Sequence, residues 1–268
     1  MKVDIISEEL IKPSLPTPLV LRSYKLSSFD LLRGPSYISI FLCFPSNDTN
    51  NQSSQRVKLL QESLSKTLTQ VYPLAGQTIP DIKLGARNNN VVTKIFVFNG
   101  EAISKLIAMA KAGGKRQLIS DTAIVTAAIW RVLTKIAQAR HGKLRPCVAT
   151  YVLNMRGKTA LPLSKNAFGN LCFQSIARFV PSNDQSKVEL HDLVSLLRDS
   201  VGKAYKDLLK VSNNGDDLFA SLIDVMKEVS DEYDNMEGDI YAFSSIVEFT
   251  AYELCDFGWV VDKYMCPK

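Results

Sequence analysis

An α/β fold of the layered α+β kind is predicted by three observations. Runs of β-branched and aromatic residues intermix with helical stretches, without the strict strand–helix–strand rhythm of a doubly wound sheet. The helical stretches carry apolar residues every three or four positions, so each has one face to bury. Hydrophobic residues make up 46% of the chain and aromatics 9%, which supplies a packed core and sets disorder aside. At 268 residues there is room for one large domain or two modest ones.

The elements follow in order. Pro13, Pro16 and Pro18 hold the opening stretch extended, because each restricts the residue before it. YISIFLCF, Tyr37 to Phe44, reads as a buried strand. The polar loop SNDTNNQSSQ leads into a helix with Val57, Leu60, Leu64, Leu68 and Val71 on one face, and Pro73 ends it. YPLAG then runs through QTIPDIKLGARNNN into a second expected strand, Val91 to Phe98. The first region therefore offers one or two strands and one helix, too little to bury a core alone.

From Val91 to the end the pattern is richer. A helix is predicted from near Glu101, with Ile103, Leu106, Ile107 and Ala110 inward, stopping at Gly113-Gly114. The next begins at Ser120, a good N-cap, with Asp121 at the positive end of the helix dipole. Ile124, Ala128, Val132 and Ile136 are its expected apolar stripe. Strands are expected over Pro146–Arg156 and Leu171–Val180, then helices over Val188–Val211 and Asp216–Tyr233. A last strand, Ile240 to Leu254, leads into CDFGWV.

Composition narrows the function. The net charge of +5 comes from basic residues spread along the chain with no basic face, which argues against nucleic acid and allows at most an anionic small molecule. Five cysteines without CxxC spacing fit neither a disulfide framework nor a zinc site, so no metal is expected. The N-terminus has acids where a signal peptide would be apolar, and no apolar run approaches membrane-spanning length. A cytoplasmic globular protein without membrane contact is the expectation.

No Walker loop, dinucleotide glycine fingerprint, HExxH or GxSxG is present. His141 precedes Gly142 at a helix end, and His191 lies early in an amphipathic helix among polar residues. Without a paired Ser or Cys, each reads as a surface histidine before a general base. Alternation along the strand places Val148, Thr150, Val152, Asn154 and Arg156 on one face, running from core to polar site. Arg156 there either holds a phosphate or carboxylate or ends the strand in solvent. Asp256-Phe257-Gly258-Trp259 reads as a tight structural turn anchored by its two rings.

SEELIKPSLPTP, YPLAG, VLNMR, the FGN of Phe168 to Asn170, and DFGWV occur in the order seen in plant BAHD acyltransferases, which the chain resembles over nearly its whole length. The likeness is to the vinorine synthase-like branch of alkaloid acetyltransferases. It implies a two-domain fold of the chloramphenicol-acetyltransferase type, acyl-CoA as co-substrate with no bound cofactor, and an alcohol or amine of a specialised metabolite as acceptor. Ser120, Asn154, Gly169 and Asn170 become candidate CoA-channel residues, and Asp256 is expected to pair with Arg156 as a structural link. In the family a histidine of an HxxxD motif deprotonates the acceptor, which attacks the thioester.

The sequence departs from that pattern in three places. His141 opens HGKLR and His191 opens HDLVS, so no HxxxD exists and no catalytic residue is assigned. Only QTIPDIKLGARNNN stands where the family's core strands and that motif should lie, which makes residues 1–90 the remnant of an N-terminal domain. Val260 replaces the last glycine of DFGWG, and the chain stops eight residues later, which leaves residues 91–268 as a C-terminal domain incomplete at its end. The resemblance therefore implies an acyltransferase by descent without turnover. The alternatives are a non-catalytic protein that binds CoA or associates with full-length relatives, and an enzyme using Asp256 or His191 as its base.

Overall fold

The computed structural model describes residues 7–27, 30, 53–75, 92, 94–113, 119–158, 164–182, 186–210, 220, 223–228, 230–231 and 238–247. The predicted strand YISIFLCF, the QTIPDIKLGARNNN junction and the DFGWV turn lie outside these residues. The chain divides into two compact units.

One unit takes in residues 1–25, 39–96 and 251–265. Its helix α1 spans Ser53–Gln70, close to the predicted stretch, with single 3-10 turns at Leu19–Leu21 and Tyr72–Leu74. The extended opening segment lies along α1. Gln61 donates to the Glu9 carboxylate at 2.5 Å and Ser65 Oγ to the Lys12 carbonyl at 2.7 Å. Ser14 N donates to the Ser65 carbonyl at 3.0 Å and Leu15 N to Thr69 Oγ1 at 3.2 Å. Gln61, Ser65 and Thr69 are spaced by four, so this strap uses one polar stripe of the helix. The apolar stripe beside it stays open, with Val57, Leu60 and Leu64 exposed, and no described residue ahead of Ala110 is buried.

The strand expected over residues 91–98 is a correction. Residues 94–99 have no regular structure, and Ile95, Phe96 and Val97 are exposed. A β-forming sequence becomes a strand only against a ladder partner, and none is found among the described residues.

The other unit takes in residues 26–38, 97–250 and 266–268. Helix α2 spans Gly100–Lys111, with Asn99 Oδ1 accepting from Ala102 N at 2.8 Å as its N-cap. Helix α3 spans Asp121–His141 and ends on Gly142 at φ +76°, the left-handed turn that glycine adopts without strain. Strand β1, Cys147–Asn154, pairs antiparallel with β2, Cys172–Phe179, and parallel with β3, Asp239–Phe243, in the order β2-β1-β3. Helix α4 spans Leu190–Lys210. Beyond it, residues 223–228 and 230–231 are helical. The last predicted strand is realised only as β3, since residues 244–246 leave the sheet and 248–254 are not described. No helix among the described residues is long and apolar enough to cross a membrane.

The core packs Ile124, Ala127 and Trp130 of α3 against Cys147 and Ala149 of β1, Ala177 and Phe179 of β2, and Leu190, Leu193 and Leu197 of α4. Ile103, Leu106, Ile107 and Ala110 of α2 join it, as their spacing predicts. A second cluster sets Leu153, Met155 and Phe173 against Ala204 and Leu208. The stripe expected on α3 is displaced, because Val132 and Ile136 are exposed while Trp130 and Thr134 are buried. Steps of four overshoot a helical turn by about 40° each, so a run from Ile124 to Ile136 drifts out of the core face that Trp130 centres.

Where α2 ends, an added Cβ on Gly113 would stand 2.5 Å from His191 Cγ. The α2–α4 contact therefore depends on glycine. Gly113→Ala is expected to destabilise by about 1–3 kcal/mol, read from urea midpoints, and adding His191→Ala should recover most of the loss. A single variant as stable as the parent would contradict this packing.

Candidate functional site

The end of β1, the first turns of α3, the middle of α4 and the stretch after β3 enclose a cavity of about 430 Å³. Its walls are largely apolar, from Ile119, Ala123, Val194, Leu197 and Val201. Polar side chains reach it from each of these elements. Ser120 Oγ accepts from Ala123 N at 3.2 Å as the N-cap of α3, which leaves its own O–H as a donor. Thr126, on the same helix, is only 8% exposed and lines the cavity. Its hydroxyl has no hydrogen-bond partner among the described residues. Asn154 turns Oδ1 to Arg156, accepting from its backbone N at 3.1 Å and its Nη1 at 3.3 Å, so the Nδ2 donors remain for other partners. Lys158 Nζ donates to Tyr205 Oη at 3.2 Å. At 5.4 Å from the ring centre the ammonium lies off the phenol end rather than over the ring. Among the described residues the lining includes the basic side chains of Lys158 and Arg198.

Arg156 organises the adjoining loop. Its Nε donates to the Ala167 carbonyl at 2.7 Å and Nη2 to the Gly169 carbonyl at 2.5 Å, with a longer contact from Nη1 to the Leu171 carbonyl at 3.5 Å. Gly169 has φ +124°, a conformation that favours glycine. Asn170 N donates to Asp30 Oδ1 at 2.7 Å, and Ser27 Oγ donates to Asp30 Oδ2 at 2.6 Å. Burial pushes the Asp30 carboxyl up, but the hydrogen bonds from Ser27 and Asn170 and the charge of Arg156 outweigh it and leave it below the ordinary 3.8.

The sequence-predicted residues thus fall into two groups. Ser120 and Asn154 line the cavity, whereas Gly169 and Asn170 belong to the loop that Arg156 clamps. Among the described residues the Arg156 guanidinium donates to backbone carbonyls, and its charge acts on the Asp30 carboxylate. Asp256, Phe257, Gly258 and Trp259 lie outside the described residues. His141 and His191 do not line the cavity. His141 Nε2 lies 3.1 Å from Nη1 of Arg145, just beyond α3. His191 packs on Gly113 and lies 3.3 Å from Asp192. Sequence reasoning missed Thr126, Lys158, Tyr205 and Asp30. Only Thr126 carried a signal, its helical spacing from Ser120 and Ala123.

The mixed sheet and packed helices have the fold of the chloramphenicol-acetyltransferase type. The crystal structure of vinorine synthase superposes with a TM-score of 0.63 at 21% identity, covering 95% of this chain and 86% of that one. The model of the Transferase family matches residues 1–84 and 81–268, and the chain belongs to this family, the BAHD acyltransferases. Vinorine synthase of Rauvolfia serpentina is 22% identical over 379 residues, 96% of this chain and 86% of the relative. A limonoid 7-O-acetyltransferase of Citrus sinensis is 28% identical over 192 residues, 71% of this chain and 41% of the relative. Stemmadenine O-acetyltransferase of Catharanthus roseus is 47% identical over 77 residues, 28% of this chain and 18% of its own length. An alignment of 379 positions against 268 residues requires a long gap in this chain. The two family segments meet at residues 81–84, inside QTIPDIKLGARNNN.

Proposed function

We propose that this chain is an acyl-CoA-dependent acyltransferase by descent that holds acyl-CoA without transferring the acyl group. One observation carries the reading. The family match breaks at residues 81–84, and no HxxxD occurs anywhere in the sequence. Removing a general base costs about 10²–10⁴-fold in rate, and here the residues that would place such a base are missing with it. Residues 1–90 are on this reading a remnant of the N-terminal domain and 91–268 the C-terminal domain, working in the cytoplasm. The acceptor, in relatives an alcohol or amine of a specialised metabolite, would have no base to activate it. Ser120 and Asn154, on the cavity wall, are the residues we assign to acyl-CoA contact, with Gly169 and Asn170 holding the neighbouring loop.

Purified chain with acetyl-CoA and a panel of alcohols is expected to release free CoA at the rate of a buffer control, while acetyl-CoA raises its thermal midpoint. Turnover that disappears in His191→Ala or Asp256→Asn would overturn the inactive reading in favour of a substitute base. A second reading, association with full-length relatives, is favoured by the open stripe of Val57, Leu60 and Leu64 on α1.

A further inference from the structure

We infer that the cavity between α3, β1 and α4 binds a neutral, mainly hydrocarbon molecule through one acceptor oxygen, which the Thr126 hydroxyl meets. Such binding is independent of the acyl-CoA reading, although both use the same cavity.

Thr126 is 8% exposed and lines the cavity. A helical threonine can return its hydroxyl to the carbonyl four residues back. Thr67 does so to Ser63, Thr69 to Ser65 and, on α3 itself, Thr134 to Trp130 at 2.9 Å. Thr126 makes no such bond, and its hydroxyl has no other partner among the described residues. Its oxygen is not sealed in either, so what it faces is the cavity. An unspent O–H donor beside aliphatic walls selects an acceptor oxygen, as in a ketone, ester or ether.

The surroundings set the class of ligand. Exposure falls along α3, from exposed Ser120 through half-buried Thr122 and Ala123 to buried Thr126, so the cavity leads from the surface inward. Val194 and Leu197 of α4, 6% and 4% exposed, line it with aliphatic surface. The volume of about 430 Å³ lies within the roughly 300–1,000 Å³ of small-molecule sites, and a bicyclic skeleton of about ten carbons suits it. Lys158 donates to Tyr205 Oη at 3.2 Å and Arg198 is paired with Asp199 at 2.6 Å, so both of these basic side chains already have partners. Carrying a further charge into aliphatic surroundings is unfavourable, which leaves a neutral ligand as the better fit.

The test is calorimetric titration of the full chain with α-tetralone and with tetralin, which share a bicyclic body and differ in one carbonyl oxygen. The ketone is expected to bind about five-fold more tightly, the scale of one neutral hydrogen bond. Thr126→Val, close to threonine in shape, should erase that advantage and leave both tetralin binding and the thermal midpoint unchanged. Thr126→Ser should keep the advantage. Tetrahydronaphthoate, the same skeleton with a carboxylate, should bind more weakly than the ketone. Equal binding of ketone and hydrocarbon, an advantage that survives Thr126→Val, tighter binding of the acid, or no binding of any of the three up to their solubility limits would each overturn the inference. Acetyl-CoA titrated separately tests the other reading. If α-tetralone binds and acetyl-CoA does not, this site stands and the acyl-CoA reading falls, and the reverse result does the opposite.

Discussion

Trp130→Ala is expected to lower the stability of the chain by about 3–5 kcal/mol, the range for removing a buried aromatic side chain. Trp130 is fully buried in the main core, which residues of α2, α3, α4 and the sheet build together. The indole N–H donates to Cys147 Sγ at 3.3 Å, and the Thr134 hydroxyl reaches back to the Trp130 carbonyl at 2.9 Å. Alanine would leave a hole that α3 cannot close, because Ile124 and Ala127 are already seated on the same face. Trp130→Phe keeps most of the volume and loses only a weak hydrogen bond to sulfur, so it should cost less than about 1.5 kcal/mol. Urea midpoints for the two variants test the ordering. A thiol readout accompanies it. Burial raises the Cys147 thiol above its ordinary value and keeps it protonated and unreactive. Trp130→Ala should expose it to a thiol reagent. An alanine variant as stable as the phenylalanine one would mean that Trp130 is not the centre of this core.

The second large effect is expected at Arg156. Its alanine variant leaves the Ala167 and Gly169 carbonyls without their charged donors, at a cost of about 2–3 kcal/mol in a half-buried setting. Lysine should recover less than half of that, since one ammonium cannot reproduce the fork of the guanidinium. The loss should be local as well as global. Residues 164–171 should become cleavable by protease while α3 and β1 remain protected. The other tether of this loop, Asp30 to Asn170, has a defined pH dependence. Because the Asp30 carboxyl is held below 3.8, its contribution is complete above that value and fades as pH falls through the lower folded value. Protection of the Asn170 amide, its exchange rate relative to that of an unstructured peptide at the same pH, should therefore fall in strong acid and stay constant near neutrality. Protection that is already lost at neutral pH would place the tether elsewhere.

How much of this could be read from residues alone depended on how local the cause was. Ser120 and Gly142 mark the ends of α3 through cap chemistry that needs only a few neighbours, and both marks are where the structure has them. The alternation of Cys147–Asn154 and Cys172–Phe179 gave both strands of the antiparallel pair. The Val91–Phe98 strand failed because pairing is not local, and the stripe of α1 was legible as a pattern but not as an exposed one. For the site, Ser120 and Asn154 were nominated by resemblance. That Thr126, Lys158 and Tyr205 converge on them is set by the way α3 and α4 cross the end of β1. Spacing along the chain carries no such information. Arg156 was legible as a strand-end cation, whereas its acceptors are carbonyls whose positions no side-chain pattern records.

The order β2-β1-β3 also sets a sequence of events in refolding. β1 finds β2 across one short connection, but it finds β3 only after α4 and the helical residues beyond it have been traversed. The second connection is about five times longer, which adds about 1.4 kcal/mol of closure entropy by the logarithmic loop law. The antiparallel pair and α4 should therefore assemble as a fast local nucleus, with β3 joining late as a parallel strand. Mutations in β1 and β2 would then slow folding, while mutations in β3 would mainly speed unfolding.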